Sequence, residues 1–335
     1  MTHELKKIIV AFEAAQKQGL SAVLATVVAL EGSSYRRPGV RMLLLSDGGM
    51  VGAVSGGCVE KEVLRQAESV FLTGVPKVMT YDGRYRLGCE GILYILLEPF
   101  SPSKDFLSAF RTYITKRKTF TITSTFEKKY GENKGFGSYF HFDEGMGVRD
   151  GYTEASNSHE VFEQTMHPCF KLVIIGAEHD AVQLCSYAAM TGWEVTVVAH
   201  PKEEKSLDDF KGAVQLLQAE GESLRLEVDK ETAIVLMTHS FVKDLQYMIA
   251  LKEAKPAYFG LLGPARRREK LFDELLERHP DMPEAFLEQV HGPAGLDIGA
   301  ETPQEIAVSV LAEILAVVNQ KEPILLKEKV GRIHT

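Results

Sequence analysis

Apolar residues at the start of the chain recur at helical spacing. Leu5, Ile8, Ile9, Phe12 and Ala15 fall at i, i+3, i+4, i+7 and i+10, and Gly19 follows, which predicts an amphipathic opening helix with a glycine stop. The period then shortens. Ala22 to Leu30, Val40 to Leu45 and Met50 to Val54 read as strands, with Asp47-Gly48-Gly49 as the hairpin turn between the last two. Val59, Val63, Ala67 and Val70 return to helical spacing up to Gly74, so Gly56-Gly57-Cys58 is placed where a helix opens. Val78 to Tyr81 and Ile92 to Leu97 are two further strands, predicted to complete a mixed sheet. Pro99-Phe-Ser-Pro102 breaks the pattern.

Residues 103–168 begin with a helix marked by Phe106, Phe110 and Tyr113, followed by a β-like run from Phe120 to Phe126. The tract from Glu127 to Asp150 is polar and glycine-rich, and its pattern defines no element. From Lys171 the reading is sharper. Leu172-Val-Ile-Ile-Gly176 is a buried parallel strand, Ala181 to Met190 a helix stopped by Gly192, and Glu194 to Val198 a second strand, which makes a β-α-β unit. Ala233 to Met237 and Ala257 to Leu262 supply more buried strands, each followed by helical sequence, and together they predict a doubly wound sheet. Thr302 as N-cap, Pro303 at N1 and Glu305 at N3 form a capping box before a last helix whose face carries Ile306, Val310, Ile314 and Val317.

The fold class is therefore α/β. An N-terminal mixed α/β domain is expected over residues 1–168, with 103–168 poorly defined, and a C-terminal Rossmann-like, doubly wound parallel sheet over 169–325. A chain of 335 residues is long for one core, which agrees with two domains. The net charge of −8 argues against nonspecific nucleic-acid binding, since that needs a basic surface. Four cysteines and no apolar signal segment at Met1-Thr-His-Glu-Leu-Lys-Lys point to a reducing cytoplasm without a disulfide framework. No apolar run approaches the roughly 18 residues needed to span a bilayer.

Candidate chemistry lies in the loops. Glu31-Gly-Ser-Ser-Tyr-Arg-Arg-Pro-Gly39 and Ser55-Gly-Gly-Cys-Val-Glu60 gather glycines, arginines and a thiol at strand ends. Helix amides near Cys58 favour thiolate and attract anions. Cys58 and Cys89 both sit among glycines that clear space and expose amides, which marks them as ligand contacts or small buried hydrophobes. Cys169 and Cys185 lack that setting and read as buried. Arg36, Arg37 and Arg41 flank the first glycine loop, and Arg266, Arg267 and Arg268 follow Gly263-Pro264 at a helix start, where guanidinium forks and amides suit oxyanions. His239 and Asp244 follow the strand ending at Met237, on the edge where open α/β sheets bind ligands. Asp297, in a Gly-rich turn with His291 and Thr302 nearby, reads as a loop-closing acceptor. No metal site is expected, because neither C-x-x-C nor H-E-x-x-H occurs.

A dinucleotide fingerprint needs G-x-G-x-x-G/A after the first strand, and this chain reads Gly176-Ala-Glu178-His-Asp-Ala181. Glu178 places a carboxylate where a pyrophosphate would lie, and Val198-Ala199-His200 lacks the acidic residue that would take a ribose hydroxyl. NAD(P) binding is therefore not expected.

Ala25-Thr-Val-Val28, Glu31 to Ser34, Arg36 to Gly39, Arg41-Met42, Asp47-Gly48, Val51-Gly52, Gly56 to Glu60, Tyr81-Asp82 and Leu87 to Gly91 together resemble the xanthine dehydrogenase accessory family of the XdhC/CoxI type. The resemblance continues through Thr238-His239, Asp244, Tyr258 to Gly263, Arg266 to Arg268, Gly295 to Ala300 and Thr302 to Ala307. It covers about residues 20–100 and 170–320. The family usually shows Gly-Ala-Gly-His where Gly176-Ala-Glu178-His stands. The resemblance implies transient binding of molybdenum cofactor, help with its sulfuration by a cysteine desulfurase, and insertion into the xanthine dehydrogenase large subunit during purine oxidation. It also implies a homodimer. The residues it assigns to the cofactor are Arg36, Arg37, Gly56, Gly57, Cys58, Cys89, Gly176, His239, Arg266 and Arg267. That role is a chaperone's more than a catalyst's. Two other classes stay open: an NAD(P)-dependent oxidoreductase or xanthine dehydrogenase subunit using the C-terminal domain, and a regulatory subunit that holds no small molecule.

Overall fold

The computed structural model describes residues 1–32, 37–55, 57, 59–83, 91–149, 152 and 159–330. Two compact units divide between Cys169 and Phe170. In the first, α1 (Thr2–Lys17) buries the five apolar positions of its helical stripe, and Gly19 follows at φ 74°. The strands β1 (Ala22–Gly32), β2 (Arg41–Leu45) and β3 (Met50–Gly52) are consecutive hairpin partners, and α2 (Glu60–Thr73) leads to β4 (Lys77–Asp82) and β5 (Gly91–Pro99). The sheet order is β3-β2-β1-β5-β4, with β7 (Gly131–Glu132) at its edge, and every pairing is antiparallel. The sheet is thus not mixed in strand sense. β5 returns beside β1, and α2 connects strands that are not neighbours.

Burial on both faces explains the unbroken apolar run of β1. Val23, Ala25 and Val27 meet Val63, Ala67 and Val70 of α2, while Leu24 faces Leu5, Ile8 and Phe12 of α1. The second face also meets an aromatic cluster. There α3 (Lys104–Thr115), capped by the Ser103 hydroxyl, packs Phe106 against Phe140 and Phe142 with ring centroids 4.9 and 5.6 Å apart. The β-like run from Phe120 to Phe126 is a strand, and the tract from Glu127 to Asp150 that carried no readable pattern supplies two more strands of a second antiparallel sheet. β6 (Phe120–Phe126), β8 (Gly137–His141), β9 (Gly145–Gly147) and β10 (Glu160–Met166) pair in the order β10-β6-β8-β9.

The second unit is a six-stranded parallel sheet. Its strands are β11 (Lys171–Ile175), β12 (Glu194–Ala199), β13 (Ala213–Gln218), β14 (Thr232–Leu236), β15 (Tyr258–Leu261) and β16 (Val290–His291), in the order β13-β12-β11-β14-β15-β16. Helices α4 (His179–Met190), α5 (Phe241–Ala250), α6 (Ala265–Arg278), α7 (Glu284–Glu288) and α8 (Pro303–Val318) complete it. Leu172 and Ile174 pack toward α4 and α8, and Val173 and Ile175 toward α5 and α6. The expected doubly wound arrangement is present, with its switch point between β11 and β14. The predicted capping box forms at α8, where Thr302 Oγ1 accepts from Glu305 N at 3.3 Å and the Glu305 carboxylate accepts from Thr302 N at 2.9 Å. Among the described residues, no helix is long and apolar enough to cross a membrane.

Candidate functional site

The first glycine loop of the N-terminal unit enters β2 through Gly39, at φ 97°. Arg37 is exposed. Arg41, four residues on, is not: it points inward from β2 and is 5% exposed, so it cannot face a ligand held by the loop. The second loop closes on itself. Ser55 N donates to Glu60 Oε1 at 2.8 Å, and the Ser55 hydroxyl lies 3.1 and 3.0 Å from the two Glu60 oxygens. Gly57 N and Val59 N donate in turn to Ser55 Oγ at 3.3 and 3.4 Å. Gly57 has φ 119°, a conformation that favours glycine. α2 opens at Glu60, two residues beyond Cys58, because Ser55 and Glu60 form the turn first. Burial tends to raise the Glu60 pKa, but its hydrogen bonds from Ser55 and Gly57 outweigh this and hold it below the ordinary carboxylate range. Gly57 therefore offers an exposed backbone, with its amide engaged internally. Arg36, Gly56, Cys58 and Cys89 lie outside the described residues.

In the C-terminal unit the loops after β11 and β14 abut. Gly176 has φ 134°, and a methyl group there would lie 2.4 Å from Met237 O, so glycine is required by close approach as well as by conformation. His239 Nε2 lies 3.4 Å from Asp180 Oδ2 on the first turn of α4, and its ring is half exposed. Its φ of 57° is left-handed and non-glycine, a strain of the kind that surrounding contacts must hold in place. Asp244, 1% exposed, anchors this edge: it accepts from Thr238 Oγ1 at 2.5 Å and pairs with Arg267 Nη2 at 2.6 Å. Arg266 is exposed beside Arg267 at the start of α6. Gly176, His239 and Arg267 are thus brought to the carboxyl edge of one sheet. Asp180 is not singled out by the sequence; its position in the first turn of α4, facing the β14 loop, is the available signal. Glu203 also escapes a sequence reading. Its carboxylate lies just past β12, but His200 N at 3.1 Å and Lys243 Nζ at 2.5 Å already engage it.

A third polar group lies at the β15–β16 edge. Glu313 Oε2 accepts from Tyr258 Oη at 2.5 Å and Gly295 N at 2.7 Å, and Glu313 Oε1 lies 3.2 Å from His291 Nδ1. Glu313 closes the loop that Asp297 was expected to close. Asp297 is exposed and accepts no hydrogen bond from the described residues, and the partly buried Glu313 carboxylate takes the Gly295 amide instead. Burial alone would raise the Glu313 pKa, but the bonds from His291, Tyr258 and Gly295 win and lower it. The linked stability is present above about pH 4.5 and is lost as pH falls through the depressed native value. Glu313→Gln should flatten this acid limb in urea melts taken between neutral and acid pH, and an unchanged slope would remove Glu313 as its source. Cys169 and Cys185 are buried and form no disulfide, and burial pushes the Cys185 thiol up to about 11. By this criterion Cys185 is not a nucleophile at neutral pH.

An open parallel sheet with glycine at its switch point defines the second unit as a Rossmann-type domain, joined in one chain to an antiparallel α/β unit with a Gly-rich loop. The model of the XdhC Rossmann domain matches residues 172–314, and that of the XdhC and CoxI family matches residues 15–82. The chain belongs to the XdhC and CoxI family. It is 32% identical over 317 residues to a Bacillus subtilis (strain 168) protein named as a probable xanthine dehydrogenase subunit, with 88% of this chain and 92% of that one covered. It is 26% identical over 304 residues to the Molybdenum cofactor insertion chaperone PaoD of Escherichia coli (strain K12), with 89% of this chain and 84% of that one covered. A crystal structure described as a xanthine dehydrogenase from Bacillus halodurans aligns with a TM-score of 0.77 at 25% identity, covering 94% of this chain and 96% of that one.

Proposed function

We propose that the protein binds molybdenum cofactor as cargo, assists its sulfuration and inserts it into a xanthine dehydrogenase. The observation that carries this reading is the extent of the similarity: the insertion chaperone and the Bacillus subtilis protein each match nearly nine-tenths of the chain, and so include both units. Arg36, Arg37, Arg266 and Arg267 are the donors proposed for the pterin phosphate, since guanidinium forks suit oxyanions. Gly56, Gly57 and Gly176 let backbone approach the cargo, and Cys58 and Cys89 offer soft ligands for the metal centre. His239, half exposed beside Asp180, is a further polar contact. The partners on this reading are the large subunit of a xanthine dehydrogenase, a cysteine desulfurase and a second copy of the chain, in the cytoplasm. The chain itself performs no purine chemistry. The Rossmann-type sheet supports a second reading, nicotinamide-dependent oxidation, and NADH titration separates the two.

Retention of the cargo tests the proposal. Purified protein loaded with molybdenum cofactor and passed through gel filtration should keep it. Cys58→Ala or Cys89→Ala should weaken retention while leaving circular dichroism and melting unchanged. Unaltered retention in both variants would remove the thiols from the mechanism, and loss of folding would assign them to packing. Arg37→Ala should cost roughly ten- to a hundredfold in affinity, the effect of removing a charge-assisted phosphate contact worth about 1.5–3 kcal/mol.

A further inference from the structure

The first glycine loop rejoins its sheet at a point held from three sides. Gly39 N donates to Val27 O of β1 at 2.7 Å, and Gly39 O accepts from Arg41 Nη1 at 3.0 Å. The third hold comes from the second sheet of the same unit. Gln164 of β10, 8% exposed, lays its carboxamide against the Gly39 α-carbon, so closely that a methyl group there would lie 2.3 Å from Gln164 Nε2. With φ 97°, Gly39 is glycine for conformation as well as for this approach.

Arg41 joins these contacts. The Nη1 that binds Gly39 O also donates to Gln164 Oε1 at 2.5 Å, and burial lowers the Arg41 pKa only to about 10, so both bonds are charge-assisted at neutral pH. Gln164 is fixed in turn by strand register, opposite Ile122 in the antiparallel pairing of β10 with β6. On the loop side the connection to Arg37 is short. Only Pro38 stands between Arg37 and Gly39, and its ring fixes its own φ and keeps Arg37 out of the helical region. With Gly39 held, few backbone torsions remain that could redirect the exposed Arg37 guanidinium.

We propose that Gln164 is a positioning residue: acting through Arg41 and Gly39, it sets the direction in which Arg37 is presented to an oxyanion, which on the cargo reading above is the pterin phosphate. The identity of the ligand rests on that reading; the hold on Gly39 does not.

Two measurements on the full chain test this. In the free protein, hydrogen exchange at the Gly39 amide should quicken in Gln164→Ala and Gln164→Leu and stay near the wild-type rate in Gln164→Glu, which keeps an acceptor for Arg41, while exchange in β6 is unchanged in all three. Affinity for molybdenum cofactor should follow the same order, with Gln164→Ala roughly fivefold weaker than wild type, within the range for coupled neighbours. In an Arg37→Ala background Gln164→Ala should cost little further, because its effect passes through Arg37. A packing role alone gives another pattern: a lowered Tm with equal loss of affinity in both backgrounds, or Gln164→Glu no better than Gln164→Ala. Either pattern, or an unchanged Gly39 exchange rate in Gln164→Ala, would overturn the assignment. If the wild type retains no cofactor, the cargo reading and the role of Gln164 in it fall together, and quickened exchange at Gly39 would leave only the hold on the loop standing.

Discussion

Asp244→Ala is expected to destabilise the C-terminal unit by about 3 kcal/mol, the lower part of the range for breaking a buried charge pair. The carboxylate is 1% exposed, and three groups depend on it: Thr238 Oγ1 at 2.5 Å, Thr238 N at 3.4 Å and Arg267 Nη2 at 2.6 Å. Alanine leaves Arg267 without its carboxylate and frees the loop that holds His239 in its left-handed conformation. Because the Arg267 side chain is 24% exposed, water recovers part of the loss, which sets the lower figure. Asp244→Asn keeps an acceptor and should cost less, about 1–2 kcal/mol. The measurement is urea unfolding followed by the fluorescence of Trp193, the single tryptophan, which packs on Phe170 within this unit. A change below about 0.5 kcal/mol for Asp244→Ala, the size of an ordinary surface substitution, would show that the anchor does not hold this edge together.

The same network shows what could be read from the sequence. The β-α-β pattern and the rule that ligands gather at the carboxyl edge put Gly176, His239 and Asp244 in one neighbourhood, and the structure joins them through Met237, Thr238 and Asp180. Local chemistry was equally legible at α8, where Thr302, Pro303 and Glu305 specify a helix start without help from distant residues. Arg37 and Arg41 illustrate the limit. They share one motif, yet one is exposed and the other lies in the core. Alternation along β2 places Arg41 on the face of Leu43, but which face is covered depends on β10, whose Gln164 receives the Arg41 hydrogen bond from 123 residues away. The strands from β7 to β10 were illegible for a related reason. They are short, rich in glycine and polar residues, and stabilised by nonlocal pairing, so no local period announces them.

Glu178→Gly is expected to improve NADH binding by at least about tenfold, or roughly 1.4 kcal/mol, over a wild type whose Kd is weaker than about 1 mM. Most of a dinucleotide crevice is already in place. Gly176 permits the tight turn after β11, and Ala181, 1% exposed, allows close packing of α4 on the sheet. Glu178 itself is the N-cap of α4, exposed and without a side-chain capping bond, so its carboxylate is free to lie near the helix amides that would otherwise receive a pyrophosphate. Two effects oppose the nucleotide there: charge repulsion, on the order of a few kcal/mol for near neighbours at a protein surface, and the volume of the side chain. Glu178→Gln separates them, since it removes the charge and keeps the volume. Recovery in Gln as well as Gly would identify repulsion as the larger barrier, and recovery in Gly alone would identify volume. Fluorescence titration with NADH reads all three proteins. Tight binding by the wild type would overturn the cargo-insertion reading in favour of nicotinamide chemistry. No gain in either variant would mean that the missing acidic partner after β12, where Glu203 is held by His200 and Lys243, closes the crevice to nucleotides independently of Glu178.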